Sequence, residues 1–244
     1  MEVHKHPHDV THKKKWSEYL LEFFMLFLAV FLGFIAENLR EHYVEVQREK
    51  QFAKQLLVEI KGDAESYIYN ARNLEYYIQK HNEFSALMTA PKPPTNSEVI
   101  SSFYKLLFTH QVIVTSVTYS QMKSSGNLRY IHNQEIISAI QEYYEIYQNR
   151  LQIQNERNDT YYFKYLEPFL LNHFLTTETD ELGDSVTVSN PIFINRSRET
   201  DIQLTNIMNT YKLYLDVTLN RTLKPIIPKA NNLIELLKKE YDLK

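Results

Sequence analysis

The sequence predicts an all-α protein: a single N-terminal transmembrane helix continues into a long helix and then into an extramembrane helical bundle. Three observations predict it. Only four of 244 residues are glycine, far below the usual ~7%. Residues Phe23 to Ala36 (FFMLFLAVFLGFIA) form an unbroken uncharged, mainly large apolar run. Downstream, apolar residues recur at helical spacing, with prolines confined to a few breaks.

Glycine scarcity also limits chemistry. Phosphate-cradling loops and nucleophile elbows need glycine where the backbone turns sharply or meets a ligand, and Gly33, Gly62, Gly126 and Gly183 stand alone. The net charge of −3 comes from 27 basic and 30 acidic residues mixed along the chain, so nucleic acid is not an expected partner. The absence of cysteine removes disulfides, thiolate catalysis and cysteine-ligated metals.

The apolar run spans about 21 Å as a helix, short of the ~30 Å hydrocarbon core. Extending it to residues 17–39 reaches spanning length, includes Glu18, Glu22 and Glu37 near the ends, and sets Trp16 and Tyr19 at the interface. Two other readings compete. A buried core helix has a similar length, but Lys13, Lys14 and Lys15 adjoin this run. A cleaved signal peptide needs small residues at the cut, and Phe34 fills that place before Ala36. An uncleaved membrane anchor is the expectation. Four basic residues flank each side, but those following the span are interleaved with Glu37, Glu41, Glu45 and Glu49. A long C-terminal domain also crosses largely regardless of its charge, so the N-terminus is expected inside and the bulk outside, which in a bacterial inner membrane means cytoplasm and periplasm.

Within the span, Glu22, Leu26, Ala29, Gly33, Ala36 and Arg40 are spaced 4, 3, 4, 3 and 4 and fall on one helical stripe. Ala29 and Gly33 form a small-xxx-small pair of the kind that lets helices approach closely in lipid. This stripe is the candidate oligomer seam, with Glu22 facing protein or water; the competing reading is that Glu22 snorkels to the headgroups and Gly33 is incidental.

Residues 1–16 read as a basic, His-rich tail, and 40–89 as a long juxtamembrane helix, with Leu39, Tyr43, Val46, Phe52, Leu56, Leu57 and Ile60 along one apolar face. The remainder, 90–244, reads as a bundle of four to six helices. Ala90 to Asn96 (APKPPTN) breaks the chain, and Ser97 and Glu98 open a short helix to about Thr109. The β-prone stretch Gln111 to Val117 has no partner strand and reads as an extended connector. Ser116 resembles an N-cap for a helix ending at Ser125, Gly126 suits the left-handed position after it, and Asn133 caps the next helix. Ile137, Ile140, Tyr144, Tyr147 and Leu151 mark the face of a helix reaching Leu166, which Pro168 should kink or end. Thr176 to Pro191 reads as a surface loop. Leu204, Ile207, Tyr211, Tyr214 and Thr218 restore helical spacing, Pro225 and Pro228 interrupt it, and Leu233 to Tyr241 forms a last helix. Many of the 18 tyrosines should pack by their rings with hydroxyls outward. A tyrosine-lined ligand pocket is the alternative.

No catalytic signature emerges. His4, His6 and His8, with His12 nearby, are weak metal-ligand candidates in a polar tail where nothing fixes their geometry, so neither a metal nor any other cofactor is expected. Glu178, Asp180 and Glu181 form an acid run of the kind that is normally solvated. There is no GxSxG or HExxH spacing, and an enzyme is not expected.

Two stretches carry a resemblance. Leu20 to Asp63 (LLEFFMLFLAVFLGFIAENLREHYVEVQREKQFAKQLLVEIKGD) and Thr118 to Tyr144 (TYSQMKSSGNLRYIHNQEIISAIQEYY) resemble a widespread family of single-pass membrane proteins of Bacteroidota. In the second, the family shows a Tyr, then a Ser-Gly-Asn/Lys-Leu turn, then a helix. Many members have tryptophan just after the span, where this chain has Leu39, so the match is to a divergent branch. The resemblance implies an inner-membrane anchor with a helical domain beyond it, and supplies no activity.

The expected function is a membrane-anchored structural or protein-interaction subunit, a homo-oligomer or a member of an envelope complex, with the lipid bilayer as its first partner. Two alternatives belong to other classes. A ligand-sensing bundle would need a partner chain to carry its signal, because the tail before the span leaves no room for a signalling domain. An ion-conducting oligomer would array Glu22 around a pore, and would lose conductance on Glu22→Gln.

Overall fold

The structure, a computed structural model, describes residues 15–106, 111–175, 178–182, 185–189 and 192–243. The chain forms two compact units, Met1–Lys50 and Gln51–Lys244, and their boundary falls inside the first helix, α1 (Trp16–Met88). This 73-residue helix has no proline, and its glycines, Gly33 and Gly62, are far apart, so nothing in it forces a break.

In the first unit no described residue is buried. The segment carries a window long and apolar enough to cross a membrane, none of it covered by protein. Leu39, Tyr43 and Val46, expected on an apolar face, are exposed as well.

The second unit is a helical bundle. Ala53, Leu56, Leu57, Ile60, Ala64, Tyr67, Ala71 and Leu74 recur every three or four residues on α1 and form its buried face. After the proline loop, α2 (Asn96–Phe103) starts from Thr95 and not from Ser97. The Glu98 N–H donates to Thr95 Oγ1 at 3.3 Å, and the Thr95 N–H donates to Glu98 Oε2 at 2.7 Å, a reciprocal cap at the helix start. A 3₁₀ turn, Tyr104–Leu106, follows, and the expected end near Thr109 lies outside the described residues.

Residues 111–116 run as an irregular connector into α3 (Val117–Ser124). Ser116 stands at the N-cap position but its side chain caps nothing; Thr118 takes its partner from α1 instead. Gly126 adopts φ +71°, the left-handed backbone expected there, and leads into a 3₁₀ turn, Asn127–Tyr130. Asn133 caps α4 (Gln134–Gln141), its Oδ1 accepting the N–H of Glu135 at 3.0 Å.

From α4 the chain stays helical to His173, through a π segment Glu142–Gln148, α5 (Asn149–Tyr161), a second π segment Tyr162–Leu166 and α6 (Glu167–His173). Two expectations are corrected here. Ile140, Tyr144 and Leu151 are buried as expected, but widening at Glu142–Gln148 shifts the register so that Tyr143 and Gln148 are buried too while Tyr147 is only half-buried; Ile137, upstream of the widening, is half-buried as well. Pro168 does not end the helix. Its ring would clash with the carbonyl four residues back, on Lys164, and that carbonyl lies in the wide Tyr162–Leu166 turn.

The expected loop from Thr176 to Pro191 contains paired strands. Strands β1 (Phe174–Leu175) and β4 (Ile192–Phe193) pair antiparallel, with Phe174 opposite Phe193. Between them in the chain, β2 (Glu178–Leu182) pairs with β3 (Ser185–Ser189), Glu178 opposite Ser189. Ser185–Ser189 alternates Ser, Val, Thr, Val, Ser, a strand period that the surrounding acids and threonines obscure.

The chain then returns through α7 (Arg198–Thr218), a π segment Leu219–Leu223 and α8 (Lys224–Tyr241). The expected interruption at Pro225 and Pro228 does not occur. Arg221, four residues before Pro225, again sits in a π turn, and Pro228 is carried inside α8. Leu204, Ile207, Tyr211 and Thr218 are buried as their spacing predicts.

Two core clusters result. The larger joins α1, the connector, α3, α4, the first π segment and α8 around Leu56, Ile60, Tyr67, Tyr143 and Leu233. The smaller is aromatic, with Phe84, Phe103, Phe169, Phe174 and Phe193 closing the end beside β1 and β4.

Candidate functional site

In the first unit, Glu22, Leu26, Ala29, Gly33, Ala36 and Arg40 all lie exposed on α1. Nothing lies within 4 Å of where a Gly33 Cβ would stand, so in the single chain this stripe has open space over its smallest residue. Arg40 donates to Glu37, Nε to Oε2 at 2.9 Å, just beyond the apolar run. Phe23, Phe27 and Phe31 stack at centroid distances of 6.4 and 5.8 Å, one residue every four along another side of the helix. His4, His6 and His8 lie outside the described residues.

The second unit contains a buried polar cluster that sequence reasoning missed. Asp63 is only 3% exposed, on the core face of α1 between Ile60 and Tyr67. Tyr143 donates its hydroxyl to Asp63 Oδ2 at 3.0 Å, and Gln148 Nε2 donates to the same oxygen at 2.7 Å. The Thr115 N–H donates to Oδ1 at 3.2 Å. The Tyr67 and Tyr143 hydroxyls lie 3.2 Å apart, so a chain of hydroxyls leads to the carboxylate. One turn earlier on α1, Glu59 accepts from the Thr118 N–H at 3.0 Å and from Thr118 Oγ1 at 2.6 Å.

These bonds explain the connector. A β-prone segment without a partner strand must satisfy its backbone elsewhere. Asn155 Oδ1 accepts the Val112 N–H at 3.2 Å and Asn155 Nδ2 donates to the Val112 carbonyl at 2.8 Å. At Thr115, Asp63 takes the N–H and Gln148 Nε2 donates to the carbonyl at 3.2 Å. Glu59 takes the N–H of Thr118. Side chains every third residue thus stand in for a neighbouring strand.

Burial raises the Asp63 pKa above the ordinary aspartate value; hydrogen bonds from Tyr143 and Thr115 oppose this and nearby Glu59 reinforces it. Burial likewise raises Tyr67, Tyr143 and Tyr144, so these phenols stay protonated. Tyr119 stacks on Tyr144 at 4.4 Å, 1° from parallel, and donates its hydroxyl to Glu145, which also accepts from Lys123 Nζ at 2.5 Å. The inward hydroxyls of Tyr67, Tyr143 and Tyr144 correct the expectation that tyrosine tips face outward.

Chemically, the cluster holds a carboxylate behind protonated phenols and ties α1 to the connector and to the π segment. No group of three His, Asp or Glu side chains is placed to hold a metal ion among the described residues. The sequence did contain a signal: Asp63 interrupts the core phase Leu56, Ile60, Ala64, Tyr67, and Gln148 follows Tyr143 at the five-residue step of a π turn. The two stretches that carry the family resemblance meet here, Glu59 against Thr118 and Asp63 against Tyr143. Comparison with family models, with curated proteins and with solved structures finds no match for this chain.

Proposed function

We propose that this chain is a membrane-anchored interaction subunit, held by residues 17–39 in a bacterial inner membrane with the N-terminus in the cytoplasm and the helical bundle in the periplasm. One observation carries the reading: Phe23 to Ala36 presents its large side chains uncovered, Leu26 at 71% and Phe34 at 67% exposure, a surface that water does not tolerate over this length and lipid does. The resemblance to the Bacteroidota family supports the same location. Self-association follows from the open Ala29 and Gly33 stripe, because small residues are what helices without a hydrophobic driving force use to approach each other. The buried polar cluster of the bundle ties α1 to the connector and to the first π segment.

The test is extraction of membranes from cells producing the full chain. Retention through salt and alkaline washes, release by detergent, and a crosslinked species above monomer mass are expected. Release by salt alone, or a mature form beginning near residue 37, overturns the anchor. Monomer alone after crosslinking, with no companion, overturns the interaction reading.

A further inference from the structure

A cavity of about 360 Å³ opens beside the polar cluster, between the connector, α3, the Glu142–Gln148 segment and the start of α5. Its volume lies at the small end of the ~300–1,000 Å³ range of ligand pockets. Gln148 lines it and is only 4% exposed, so a largely buried polar side chain stands in its inner wall beside Tyr144.

The charges in the wall are already spent on each other. Lys123 and Glu145 form an ion pair at 2.5 Å, and Tyr119 adds its hydroxyl to Glu145. The groups left over are of one kind. Ser116, Ser120 and Asn149 make no side-chain hydrogen bond among the described residues, and all three line the cavity. Gln148 commits its Nε2 to Asp63, Tyr67 and Thr115, which leaves its Oε1 as an acceptor. Hydroxyls and carboxamides both donate and accept. A wall of such groups without surplus charge matches a ligand whose groups do the same.

We infer that this cavity binds an uncharged polyhydroxy molecule of mono- or disaccharide size. Ser116, Ser120 and Asn149 meet its hydroxyls at the mouth, and Gln148 Oε1 meets them at the inner wall. Gln148 then connects the ligand to Asp63, and so to α1.

Calorimetry on the full chain in detergent tests this, with glucose, galactose, N-acetylglucosamine, maltose and lactose as probes and glycine and glutamate as controls. At least one sugar is expected to bind with a Kd of about 1 mM or tighter. Ser120→Phe fills the mouth from an exposed position on α3, so the fold should survive, as its melting temperature will report. It should weaken that sugar about ten-fold or more, a loss of about 1.4 kcal/mol. Absence of binding by every sugar overturns the inference, as does binding that Ser120→Phe leaves unchanged in a folded protein. Preference for glycine or glutamate overturns the ligand class.

Discussion

Asn155 binds both backbone groups of Val112, accepting its N–H at 3.2 Å and donating to its carbonyl at 2.8 Å. Val112 is 1% exposed, so no water replaces these bonds easily. Asn155→Ala should therefore leave two buried backbone groups unpaired and cost about 2 kcal/mol or more. For a domain of this size that is a fall in melting temperature of about 4–8 °C, read by circular dichroism. Asn155→Asp keeps the acceptor and loses the donor, and should fall between.

Tyr143 and Tyr144 are adjacent in sequence and opposite in effect. The Tyr143 hydroxyl donates to Asp63, whereas that of Tyr144 is buried without a partner among the described residues. Tyr143→Phe should destabilise by about 1–3 kcal/mol, because it removes a donor from a buried carboxylate. Tyr144→Phe should be neutral or stabilising by about 1 kcal/mol, since it removes the unpaired group. Denaturant unfolding of both variants checks the contrast, and equal losses would contradict the assignment.

His81 is 2% exposed, and burial, aided by Lys212, lowers its pKa to about 4, against a hydrogen bond to the Met208 backbone that opposes the shift. A base with a lowered pKa contributes stability at pH above its unfolded value near 6.5, and loses it as pH falls toward 4. Unfolding free energy should fall across that window by up to about 3 kcal/mol. His81→Phe should flatten the acid limb of a stability–pH curve.

Asp63 titrates with the opposite sign. Its raised pKa means that its contribution is complete below the ordinary Asp value and declines as pH rises through the folded value. Asp63→Asn should remove this decline. It should also lower stability at every pH, because the introduced amide would set its own donor against those of Gln148 and Tyr143. A variant with an unchanged pH slope would show that Asp63 does not titrate between the two limits.

Gly33→Leu fills space that is open in the single chain, so the bundle should melt unchanged. If Ala29 and Gly33 form the seam, crosslinked oligomer should drop several-fold in detergent, while Leu32→Val, off the stripe, should leave it intact.

Much of the architecture was legible because helical periodicity and caps act locally. Gly126 and Asn133 each name their backbone state by residue type, and the Leu204, Ile207, Tyr211, Thr218 spacing names its own face. The failures share a cause. Pro168, Pro225 and Pro228 read as breaks because proline opposes a regular α-turn, but a single wide turn upstream of Pro168 and of Pro225 removes the clash. The same widening put Tyr143 and Gln148 inside beside the expected Tyr144, where a constant period chose Tyr147. The Asp63 cluster depends on groups 52 to 85 residues away in sequence, so its members could be suspected singly but not assembled.

The three wide turns also constrain any comparison of this chain with a relative of different length. Each one accommodates roughly one residue beyond what an ordinary α-turn holds. A homologue shorter by one at Glu142–Gln148 would close the wide turn to an ordinary α-turn and keep the downstream side chains in register with the upstream half, whereas one residue lost from a regular helix rotates everything beyond it by about 100°. Gaps of one placed inside these turns are therefore structurally neutral, whereas the same gap placed in α5 or α7 would exchange core for surface. Splice points for chimaeras belong at the turns.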